Sequence, residues 1–184
     1  MNLPLRIVTA LKALRELGPT QVGLLALYKL GLKSGHYRRS ENTKTQPAPF
    51  NFPLPLPERE KLLSSLGADG LSALRQSADE IISGQFRAFG GPPVPIQLVP
   101  PSPQTHWTHL ESVQPSTFDI KLVWEPARFG WAFTLGRAWL VTGDEAYPAA
   151  FWRYFETFQA ENPPFLGENW TSAQEVGLRL IALA

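Results

Sequence analysis

Proline placement limits what this chain can fold into more than any other feature. Pro47, Pro49, Pro53, Pro55 and Pro57 all fall within 43–57. Each lacks a backbone N–H and fixes φ at about −65°, so the stretch can be neither helix nor central strand and has to run extended. Phe50, Phe52, Leu54 and Leu56 alternate with these prolines. That pattern fits a strap laid over an apolar surface, the alternative being a Pro-x-Pro ligand for an aromatic groove. A second proline-rich passage runs from Pro92 to Pro115. Between and around these two passages the sequence reads as helix.

In the first block Leu5, Val8, Leu11, Leu14 and Leu17 repeat at helical spacing until Gly18-Pro19 interrupts them. Val22, Leu24, Leu25, Tyr28 and Leu32 make a second stripe ending near Gly35. Two helices this close are either a hairpin packed on the main body or a partner-binding arm. The middle block, Glu58 to Ser83, carries Leu71, Leu74, Ala78, Ile81 and Ile82 behind a cap at Asp69, and Gly84 stops it. In the second proline-rich passage, His106 and His109 have the spacing of a zinc-ligand pair on a helix. The passage reads as a non-helical linker without a third ligand, so no metal is predicted.

The third block is the most regular. Trp124 to Thr142 has its apolar residues at helical spacing, with Pro126 in the first turn, and Tyr147 to Ala160 follows directly after Thr142-Gly143-Asp144. This predicts an antiparallel αα-hairpin with a short loop. Asn162-Pro163-Pro164 ends it. Gly167 then closes a polar turn holding Glu168, Asn169 and Trp170, and Ser172 with Glu175 has the capping-box spacing of a new helix start. Free N–H groups and the positive end of the dipole at such a start suit an anion. The pattern Val176, Leu178, Leu180, Ile181, Leu183 is still running at Ala184, so the chain is expected to be the N-terminal piece of a longer protein. The predicted class is all-α: helical hairpins stacked as an open solenoid or a closed ring over 119–184, preceded over 1–118 by helices and proline-rich extended segments.

Charge and composition exclude several partners. With 17 basic and 16 acidic residues the net charge is +1, so no bulk field favours nucleic acid or a membrane surface. The basic residues between Lys33 and Arg39 read as a solvated helix end. Cysteine is absent, which rules out disulfides, thiol catalysis and Cys-ligated zinc. Leu3 to Leu17 is interrupted by Arg6, Lys12, Arg15 and Glu16 and has no signal-peptide form, while Val22 to Leu32 is shorter than the ~20 residues of a membrane span. A cytoplasmic location is therefore expected, with no membrane span.

Several spaced motifs carry a family resemblance. Asp119-Ile120-Lys121-Leu122-Val123-Trp124-Glu125-Pro126-Ala127-Arg128-Phe129, then Leu140-Val141-Thr142-Gly143-Asp144-Glu145-Ala146-Tyr147, Asn162-Pro163-Pro164, and Asn169-Trp170 through Glu175 and Arg179 together resemble the heparinase II/III family. The match runs from about Asp119 to Ala184. It implies an α/α toroid, incomplete here, followed by a β-sandwich that this chain lacks, and cleavage of an acidic, uronate-containing polysaccharide by β-elimination without a cofactor. In that chemistry a neutral amide stabilises charge building on the uronate carboxylate, while an acid and a base serve the leaving oxygen and the C5 proton. The resemblance gives the amide role to Asn169 and places acid and base beyond Ala184. Some relatives carry a histidine after that asparagine; this chain has Trp170.

Among the other candidates for sugar contact, Trp170 either stacks on a pyranose or fills the core. Trp124 and Arg128 start their helix, and Arg128 with Glu125 is also spaced as an i,i+3 ion pair. Glu175 forms an i,i+4 pair with Arg179 that would orient helix and loop. The rival to a lyase is a non-catalytic helical module binding a glycan or a protein. A third possibility, a purely structural scaffold, predicts that Asn169 points into packed protein.

Overall fold

The structure, a computed structural model, describes residues 5–40, 58–101, 104–110 and 119–183. The proline-rich stretch 43–57, and with it the expected strap, lies outside the described residues. So does the part of the second passage at 111–115. The described chain is mostly helical and divides into two compact units, Met1–Pro49 and Phe50–Ala184.

In the first unit, α1 (Leu5–Ser34) is two helical pieces joined at Gly18, whose φ of 83° only glycine adopts readily, with Pro19 opening the second piece. A short α2 (His36–Ser40) follows Gly35. The Tyr37 ring lies where a Cβ on Gly31 would be, 2.8 Å away, so the absence of a side chain at Gly31 is what lets the turn close. Leu17, Leu27 and Leu30 are each at least 60% exposed.

The second unit holds the core. α3 (Arg59–Ile82) breaks at Gly67, where φ is 62°. The helical restart therefore precedes Asp69, and the capping role expected for that aspartate gives way to a backbone conformation that glycine supplies. An antiparallel hairpin of β1 (Gln85–Arg87) and β2 (Pro93–Pro95) follows, with Phe86 facing Val94. After it come a single turn α4 (Trp107–Leu110), then α5 (Ile120–Ala127), α6 (Ala132–Thr142), α7 (Ala146–Glu161) and α8 (Ala173–Leu183). The hairpin and the α4 turn are departures from the linker expected over 92–115. Within this unit α3 packs on α6 and α7.

The single helix expected over 124–142 is in fact two. Asp119 Oδ1 accepts from the Lys121 N–H at 3.0 Å and starts α5 five residues before Trp124, which puts Pro126 near its C-terminal end. Residues 128–131 turn the corner, with Phe129 at a φ of 59°. That strained backbone is held because the Phe129 side chain is fully buried, its ring 5.1–6.3 Å from those of Trp131, Phe151, Phe155 and Phe158. The α6–α7 hairpin matches expectation. Gly143 sits in the left-handed region at φ 73°, Thr142 Oγ1 accepts from the Asp144 N–H, and Asp144 Oδ1 accepts from the Ala146 N–H. Tyr147 and Tyr154 donate to Asp79 Oδ1 and the Ile81 carbonyl, fastening α7 to α3. Among the described residues no helix is long and apolar enough to cross a membrane.

Candidate functional site

The polar turn after α7 is built by residues that cannot continue a helix. Pro163 and Pro164 follow the end of α7, Phe165 takes a φ of 68°, and Gly167 takes φ 80°, ψ −179°, a combination open to glycine alone. Glu168 to Trp170 then form one 3-10 turn ahead of α8. The second proline-rich passage runs beside this loop: the Gly167 N–H donates to Thr105 O at 2.8 Å, the Trp107 N–H to Phe165 O at 3.0 Å, and Gln104 Nε2 to Glu161 O. Its role as a brace for the site was not visible from its composition.

All five candidate site residues converge on the loop. Trp124 on α5 donates its indole N–H to Glu168 O at 2.9 Å. Arg128, just past α5, grips the Glu175 carboxylate with Nε at 2.5 Å and Nη2 at 2.7 Å, and bonds Glu125 through Nη1. The hydrogen bond to Glu175, together with both carboxylate charges, raises the guanidinium pKa further above its ordinary value. Its i,i+3 pairing with Glu125 is as anticipated. Glu175, only 3% exposed, is engaged by Arg128 47 positions away instead of by Arg179 or by the Ser172 N–H. The capping box is therefore half formed, with Ser172 Oγ accepting from the Glu175 N–H at 3.5 Å. Since the Arg128 guanidinium is committed to two carboxylates, its position is that of a fastener between α5 and α8.

Arg179 on α8, 4% exposed, donates from Nε to Ala127 O at 2.7 Å and from Nη2 to Asn169 O at 3.1 Å. Its guanidinium lies over the rings of Phe158 and Trp170, 4.6 and 5.3 Å from their centroids. Burial lowers its pKa to about 10, partly offset by the Glu175 charge, so it remains a cation at neutral pH.

Asn169 is 2% exposed, and its Nδ2 donates to Asn162 Oδ1 at 2.8 Å. Trp170 is half-buried, its ring 6.1 Å from that of Phe165. Among the described residues the enclosed side-chain polar atoms without a protein partner are Glu168 Oε2, Asn169 Oδ1, Trp170 Nε1 and Arg179 Nη1. An unpaired polar atom in the interior costs about 1–3 kcal/mol, and such atoms are normally few and scattered. Here they share one loop and the arginine that braces it. The group contains donors and acceptors together, a combination suited to hydroxyl- and carboxylate-bearing molecules or to ordered water.

Sequence reasoning singled out Asn162 as a helix stop and as part of the Asn162-Pro163-Pro164 motif, with no role for its side chain. Its side chain in fact joins Leu98, Phe158 and Asn169, which its place before two prolines did not signal. No family model, no curated protein and no solved structure matches this chain.

Proposed function

We propose that this chain is the N-terminal helical part of a polysaccharide lyase that cleaves uronate-containing polymers by β-elimination, the helices forming an incomplete α/α toroid. In the proposed reaction a base removes the C5 proton, charge builds on the uronate carboxylate, and the C4–O bond breaks as an acid protonates the leaving oxygen. The carboxamide of Asn169 stabilises that carboxylate, and Trp170 is the candidate for contact with a sugar ring. Trp124, Arg128, Glu175 and Arg179 hold the loop in shape. Acid and base lie outside this chain, so the chain alone is expected to turn over no polysaccharide.

The observation that carries the reading is the concentration of unpartnered, enclosed polar atoms on Glu168, Asn169, Trp170 and Arg179. Hydrogen-bonding capacity left unused in one place is what a site for a polar ligand requires and what a core avoids. The family resemblance at Asn169-Trp170 through Arg179 supplies the chemistry. The enclosure of Asn169 favours a second reading, a purely structural helical scaffold in which the asparagine only braces the loop.

The test compares the longer protein containing this chain, wild type beside Asn169→Ala, on a panel of uronate polysaccharides by ultraviolet absorbance of the unsaturated product. A loss of about 100-fold or more is expected, the scale of one donor removed from an oxyanion-type site. Folded wild-type protein silent on every substrate, or a variant as active as wild type, would sink the lyase role of Asn169.

A further inference from the structure

A carboxamide can present either end. Its χ2 torsion is close to two-fold, and oxygen and nitrogen are nearly the same size, so sterics alone do not choose between the two orientations. Hydrogen-bond polarity does, and around Asn162 that polarity is set by groups that cannot flip. Asn162 is 2% exposed, and its Nδ2 lies 2.8 Å from the Leu98 carbonyl oxygen and 3.1 Å from that of Phe158. Both partners are backbone acceptors, so the nitrogen must face them and Oδ1 must face the other way. Oδ1 meets the Asn169 side chain at 2.8 Å, and an acceptor there requires Asn169 to offer nitrogen.

We propose that Asn162 is a positioning residue that fixes which end of the Asn169 carboxamide is presented. The directional chain runs from two backbone carbonyls through Asn162 to Asn169, leaving Asn169 Oδ1 and its second Nδ2 proton on the side away from Asn162. Arg179 complements it by holding the Asn169 main-chain carbonyl at 3.1 Å, so side chain and backbone are fixed by different elements. The Nδ2 proton away from Asn162 is the one able to serve a uronate carboxylate; that use rests on the lyase reading, whereas the orientation does not.

The test reads Asn169 directly in the whole chain by nuclear magnetic resonance of isotope-labelled side-chain amides. In the wild type the two Nδ2 protons of Asn169 should exchange with solvent at different rates, the one facing Asn162 slower by about fivefold or more, and the difference should vanish in Asn162→Ala. Asn162→Leu is the sharper variant, because it keeps nearly the same shape and removes the acceptor that faces Asn169, whereas an aspartate would go on accepting from Asn169 in either protonation state. The difference between the two Asn169 protons should vanish in Asn162→Leu as it does in Asn162→Ala. A role in packing alone predicts that the leucine, close to asparagine in shape, keeps the wild-type pattern. Equal exchange of the two protons in the wild type, or the wild-type pattern retained in Asn162→Leu, would overturn the proposal. These readings need no turnover, so a failed lyase assay counts against the proposed function alone and leaves the orientation to be decided here.

Discussion

The charged residues around the loop are arranged to neutralise one another. Glu175 is almost completely enclosed and is held by the two-point grip of Arg128. Arg128→Ala should destabilise the second unit by about 3 kcal/mol, the low end for stripping a buried pair because a quarter of the Arg128 side chain is exposed. Arg128→Met combined with Glu175→Gln should recover much of that loss, since the abandoned charge goes with its partner; denaturant unfolding of the single and double variants measures both. If the double variant is as unstable as the sum of its parts, the grip is not what the pair contributes. At this scale the sequence was half legible. It marked two local pairs, Arg128 with Glu125 and Glu175 with Arg179, because helical spacing is visible in the sequence. It could not choose their partners, because Arg128 and Glu175 stand 47 positions apart and local spacing favours the i,i+4 alternative.

Among the elements, α6 and its C-terminal turn offer a matched pair of glycines. Gly143 sits at φ 73° and Gly136 has ordinary helical geometry, and a Cβ at either would meet nothing within 4 Å. Packing therefore cancels and only backbone preference remains. Gly143→Ala should cost about 1–2 kcal/mol, because an L-residue resists the left-handed region. Gly136→Ala should add up to about 1 kcal/mol by helix propensity. Thermal unfolding of the two variants should move in opposite directions, and movement in the same direction would show that tertiary adjustment outweighs backbone preference. The turn at Gly143 was readable because its signal is local, a stop and a restart within three residues. The corner at 128–131 was not, because Trp124, Ala127, Trp131, Leu135 and Ala138 keep helical spacing straight through it. What breaks the helix is the aromatic nest that draws Phe129 into the core, and its other rings come from Trp131 and from α7.

In the second unit as a whole, the contacts fall into two kinds. α6 and α7 meet across a tight turn, whereas the loop is held by residues far away in sequence: Leu98 to Asn162, Thr105 to Gly167, Trp124 to Glu168, and Ala127 to Arg179. Each of these closes a long loop of chain before any contact rewards it. The turn's own regular structure amounts to one 3-10 turn, so its order is borrowed from those distant anchors. A timetable for folding follows. The α6–α7 hairpin should be formed early, and substitutions such as Ala150→Gly should slow refolding. Asn162→Ala and Arg179→Met should leave the refolding rate nearly unchanged and speed unfolding instead. Stopped-flow refolding and unfolding of these variants would read the order of events, and slowed refolding in the Asn162 and Arg179 variants would reverse it. On that timetable the loop closes last, and during refolding its hydrogen-bonding groups stay in water until the rest of the unit is built.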